Sequence, residues 1–148
     1  MRVAAWLCVS LAAAFPVPAA AAPGFCEDLR LMIGSVRDTP PFSSVTRILP
    51  PPPLALFRDC LANNVGFISE VTCTWHRQPA VPATSIEDLA AEAVRCLPGA
   101  RRREDPAATV RGEAVLDFEL LAITIGRSPI VPAMPGDGVR VTVSIPEG

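Results

Sequence analysis

The chain contains no lysine and no tyrosine, one histidine, and only 5% aromatic residues. Each scarcity removes a class of activity. Without lysine the cationic character rests on arginines scattered along the chain, and the formal net charge is −2. No basic stripe is present to follow a phosphate backbone, so no nucleic-acid partner is expected. Arginine as the sole strong base reads as the codon bias of a GC-rich bacterial genome. Closely spaced cysteine pairs are missing too: Cys26, Cys60, Cys73 and Cys96 follow one another at intervals of 34, 13 and 23 residues. With His76 as the only imidazole and no CxxC-type pair among the cysteines, the ligand spacing of structural zinc sites is absent, and neither metal nor cofactor is expected. A glycine-rich phosphate loop is likewise absent.

What is present starts with an exported protein's signature. Arg2 precedes a mostly apolar run from Val3 to Phe15, followed by Pro16, Pro18 and the small residues Ala19 to Ala22. A charged start, a short apolar core and an Ala-x-Ala site define a secretory signal peptide, with cleavage expected after Ala21. The apolar run is shorter than the roughly twenty residues that span a bilayer core. The expected organisation is a signal peptide over 1–21 and one domain over 22–148, with a proline-rich connector at 40–53. No mature transmembrane segment is expected, and the address is periplasmic or secreted. Cys8 leaves with the leader, and loss of Arg2 brings the formal charge to −3.

The four remaining cysteines are an even number in an oxidising compartment, which favours disulfides over free thiols. Their pairing is argued from the helices that carry them. Phe25, Leu29, Met32, Ile33 and Val36 recur at helical spacing, with Glu27 and Asp28 near the positive end of the dipole. Ser85 starts a second helix, with Asp88 at the capping-box position and Ile86, Leu89, Ala90, Ala93, Val94 and Leu97 on one stripe; Pro98 and Gly99 end it. If the two helices lie antiparallel, Cys26 in the first turn of one meets Cys96 in the last turn of the other, leaving Cys60 to pair with Cys73. Cys26–Cys60 with Cys73–Cys96 is the competing arrangement.

Leu61–Val65 and Ile68–Trp75 read as a hairpin turning at Asn63, Asn64 and Gly66. Val139, Val141, Val143 and Ile145 alternate with polar residues as a half-buried strand, whose expected partner is Ala114–Ile125. The alternation there changes phase, predicting a bulge near Leu120. Pairing Ile125 with Val139, Ile123 with Val141 and Leu121 with Val143 buries the large side chains. The resulting expectation is an α+β two-layer sandwich in the order α-β-β-α-β-β. Its four-stranded antiparallel sheet carries two antiparallel helices on one face.

Candidate sites are few. Arg47, Pro50 and Pro53 match the spacing of a polyproline docking motif, but the segment reads first as a rigid connector to Cys60. His76 lacks a nameable nucleophile, and Asp117 and Glu119, two apart, read as a solvated strand face. Arg101–Arg103 followed by Glu104 and Asp105 reads as a solvated loop. The segment 126–138 is longer than a usual hairpin loop and carries Ile130, Val131 and Met134, so these three are the candidate binding residues. The function expected is therefore that of an exported, non-catalytic binding or interaction module of the bacterial envelope, meeting a protein or peptide through this loop or an exposed sheet edge. A small hydrolase or thiol enzyme using His76 is the alternative.

Overall fold

A computed structural model describes residues 24–47, 52–76, 85–128 and 138–146. The leader, Pro50 within the proline run, and Ile130, Val131 and Met134 lie outside the described residues.

Helix α1 (Phe25–Gly34) runs into a 3-10 turn at Ser35–Arg37, and helix α2 spans Ile86–Cys96. The Ser85 hydroxyl accepts from the Asp88 N–H at 3.0 Å while the Asp88 carboxylate reaches back to Ser85, so the expected capping box forms. Leu89, Ala90 and Ala93 of its apolar stripe are buried, whereas Val94 is exposed.

The sheet is larger than the sequence suggests. Strands β1 (Arg58–Val65), β2 (Ile68–His76), β3 (Arg101–Arg103), β4 (Ala114–Phe118), β5 (Leu121–Arg127) and β6 (Gly138–Ile145) form one antiparallel sheet in the order β1-β2-β6-β5-β4-β3. A short third helix, α3 (Pro106–Val110), connects β3 to β4. Six strands and three α-helices among the described residues replace the expected four-stranded, two-helix α-β-β-α-β-β arrangement.

Two local features account for the difference. First, the phase change in "AVLDFELLAITI" marks a chain reversal, not a bulge. Phe118 pairs directly with Leu121 across a two-residue turn, Glu119–Leu120, in which Glu119 adopts a left-handed φ of 54°. Folding there places Leu116, Phe118, Leu121, Ile123 and Ile125 on one face, which a period of two demands of residues paired across a hairpin. Second, Arg101–Arg103 is an edge strand, pairing Arg101 with Asp117 and Arg103 with Val115. Its three charged, exposed residues give no alternation to read, yet a short charged strand is what an open sheet edge tolerates.

The bulge that does occur lies in β1. Between the pairs Arg58↔Thr74 and Leu61↔Thr72, Asp59 and Cys60 together oppose Cys73. Without the extra residue Cys60 would face Thr72; with it, Cys60 comes opposite Cys73, on the core side. Asp59 makes the bend at φ 51°.

The register of β5 with β6 keeps the expected face but slides by two residues: Ile125 pairs with Val141 and Ile123 with Val143. Val139, Val141, Val143, Ile123, Ile125, Leu116 and Val71 thus share the face that meets Leu29 and Met32 of α1 and Leu89 and Ala93 of α2 in one buried cluster. Phe42, Val45, Leu54 and Phe57, flanking the proline run, join the same cluster. The opposite face carries Thr72, Thr124 and Thr142, with the hydroxyls of Thr72 and Thr142 hydrogen-bonded at 2.9 Å.

Candidate functional site

The cysteines frame the molecule. Cys26 and Cys96 join α1 to the end of α2, with Cα atoms 5.5 Å apart, and Cys60 and Cys73 join β1 to β2, with Cα atoms 4.1 Å apart. This is the first of the two pairings considered from sequence. Glu92 places a carboxylate oxygen 3.3 Å from the Cys26 sulfur, so Cys26, Glu92 and Cys96 bring three ligand-type atoms within 4.8 Å of one another. Bonded to each other, the two sulfurs offer no thiolate to an ion.

Asp28 has a role that its place in the first turn of α1 does not announce. Its side chain is fully buried, and it accepts the backbone N–H groups of Ala55, Leu56 and Phe57 at 2.7, 2.6 and 3.0 Å. It therefore clamps the chain where it leaves the prolines and enters β1. Three donors compensate a buried charge that would otherwise be costly. The partners come from 27 to 29 residues away, so no local pattern signals them.

A second buried acid, Glu113, sits over the sheet at Gly126. It bonds Arg140 and Arg111, each at 2.8 Å. A Cβ at Gly126 would lie 2.9 Å from the Glu113 Cγ, so the glycine makes room for the acid.

The candidate residues fall at different places. His76 ends β2, its backbone paired with Gly138. Ser128 donates its N–H to the Gly138 carbonyl at 3.0 Å, closing the base of the segment that holds Ile130, Val131 and Met134, so that segment starts from the same sheet end as His76. Asp117 is engaged by Arg103 in an ion pair across β3 and β4. Glu119, expected beside it on one strand face, is instead in the turn. Arg102 pairs with Glu87 at 2.9 Å, so two of the three consecutive arginines are committed to ion pairs.

The opposite sheet end gathers apolar surface that the sequence reading did not single out. The β1–β2 turn, Gly66–Phe67, and the β4–β5 turn, Glu119–Leu120, have the same build: a left-handed first residue, then a large apolar residue pushed outward. Phe67 is 94% exposed and Leu120 83%. β6 ends between them at Ile145, which is also exposed, as are Val65 and Ile68. The visible signal was a Gly-Phe step between two strands; the turn at Leu120 was concealed by the continuity of the apolar run around it.

Behind the β4–β5 turn an open groove of about 430 Å3 runs between α1 and the sheet. Ile33, Val36, Leu97, Phe118 and Leu121 line it, with Arg30 and Arg37 from α1 and its 3-10 turn, and Glu119 from the hairpin. Arg30 donates to the Cys96 carbonyl at 3.0 Å. A second cleft, of about 640 Å3, lies along β1 and is lined by Arg47, Pro52, Pro53 and Leu54 among others. Comparison with protein-family models, with curated proteins and with solved structures returns no match.

Proposed function

We propose that this chain is an exported, non-catalytic binding module of the bacterial envelope, and that it meets a protein partner through the sheet end carrying Phe67, Leu120 and Ile145. The observation behind this reading is the exposure of Phe67 and Leu120 on two hairpin turns at the same end of the sheet, one on either side of β6. Large apolar side chains gathered at a rim usually serve association, because leaving them in water forgoes about 1.5–3 kcal/mol apiece. Rigid two-residue turns present them at little entropic cost on docking.

Export is supported by two cysteine pairs at disulfide distance, which persist in oxidising compartments, and by the leader-like N-terminal sequence. Among the described residues no helix is long and apolar enough to cross a membrane. A second proposed contact is the segment 126–138, whose base, the Ser128–Gly138 hydrogen bond, lies at the opposite end of the sheet from Phe67.

A crosslinkable side chain placed at position 67 of the exported protein tests the reading. It should capture a defined envelope partner, with a yield that drops at least tenfold in Leu120→Asp. The same probe at Val110, 89% exposed on α3, should capture nothing comparable. Equal capture from positions 67 and 110 would remove this surface from consideration.

A further inference from the structure

We propose that the groove between α1 and the β4–β5 hairpin binds a single-chain amphiphile with an anionic head group, its hydrocarbon over Ile33, Phe118 and Leu121 and its head at Arg37. The proposal rests on reading the chain as a non-catalytic binding module, and adds a ligand class to it.

Shape, lining and charge each bear on the choice. A concavity of about 430 Å3 is in the size range of small-molecule sites; Leu120 and Ile145 of the partner surface form part of its wall, whereas Phe67 lies outside it. The floor is hydrocarbon and aromatic, which takes an acyl chain without leaving polar groups unpaired. Arg30 and Arg37, seven residues apart on continuous helical backbone, stand two turns apart on one side, against Glu119 as the single acid of the lining. Arg37 makes no hydrogen bond or ion pair among the described residues, so its guanidinium is open to a carboxylate or phosphate. Arg30 is held in place by the Cys96 carbonyl, and Cys96 in turn by its bond to Cys26.

Gly34 supplies an independent observation. It has helical angles, φ −59° and ψ −34°, and a Cβ there would meet nothing within 4 Å. Neither backbone strain nor packing requires glycine, which costs helix stability relative to alanine. Its consequence is open space along the groove it lines.

The test titrates the oxidised, exported protein with decanoate, with a lysophosphatidylglycerol and with decanol, below their aggregation concentrations, by calorimetry and amide NMR. Decanoate should bind at least tenfold tighter than decanol, with shifts at residues 33–37 and 118–121. Arg37→Gln should erase that preference while leaving decanol within twofold. Gly34→Leu should abolish binding of all three while its melting temperature stays at or above wild type, which separates a blocked groove from a damaged fold. Binding of both anionic ligands points to free amphiphiles as the source; binding of the lysolipid with no decanoate response points to a lipid head group. Failure of wild type to bind either anion, unchanged binding by Gly34→Leu, or a preference that survives Arg37→Gln overturns the proposal. Capture through position 67 persisting alongside such a failure would sink the groove alone and leave the partner surface standing.

Discussion

Asp28 holds three backbone N–H groups in a site closed to water, so its removal leaves donors that the fold cannot re-satisfy. Each unpaired buried group costs about 1–3 kcal/mol. Asp28→Ala should therefore lower unfolding stability by about 3 kcal/mol or more in denaturant titration, with Asp28→Asn intermediate because one carbonyl oxygen still accepts. Asp38 illustrates a smaller effect at the surface. Its carboxylate receives side-chain and backbone hydrogen bonds from Ser44, which lower its pKa below the ordinary aspartate value. A depressed folded-state pKa contributes stability above the unfolded value, near pH 4, and that contribution disappears as pH falls through the lower folded value. The stability gap between wild type and Asp38→Asn should be small at pH 7 and should shrink as pH falls below the ordinary aspartate value; a gap constant across that range would contradict the assignment. The sequence placed Glu27 and Asp28 correctly in the first turn of α1. It could not show that one would face solvent and the other the chain beyond the prolines, because that distinction is made by tertiary contact.

Elements with a local signature were readable, and those fixed by pairing were not. The Ser85 box and most of the α2 stripe carry a local signature and form where it places them, whereas the β1–β2 hairpin forms with a longer first strand, Arg58–Val65, in which Asn63 and Asn64 are paired and the turn is Gly66–Phe67. The cap of α3 was also written in the sequence, as Asp105 followed by Pro106, the preferred N-cap and first-turn pair. A charge run beside it drew the segment toward a loop reading. The β4–β5 turn was missed because a turn of two residues leaves the same phase change as a bulge. That turn also makes a prediction. Glu119 occupies a left-handed position at φ 54°, where a residue with a Cβ is strained and glycine is not. Glu119→Gly should raise stability by about 0.5–1 kcal/mol in thermal or urea unfolding; a loss of stability would mean that the Glu119 side chain holds the turn.

At the scale of the molecule, two crosslinks divide the work. Cys26–Cys96 spans 70 residues and ties both helices, whereas Cys60–Cys73 spans 13 and fastens one hairpin at its bulge. Chain-entropy reasoning assigns about 4 kcal/mol to the longer loop and about 3 kcal/mol to the shorter. Paired alanine variants should thus destabilise in that order, measured by chemical unfolding of the oxidised protein, and reversal of the order would show that loop length does not govern their effect. The sheet has two unlike ends: one holds the base of the 129–137 segment near His76, the other the exposed hairpin turns and the groove. Hydrogen exchange of the oxidised protein, with and without a partner captured through position 67, tests most directly which end the proposed association uses. Protection concentrated at residues 65–68, 118–121 and 145 is the predicted result. Protection confined to residues 76, 127–128 and 138–139, with the turns unchanged, would contradict the account.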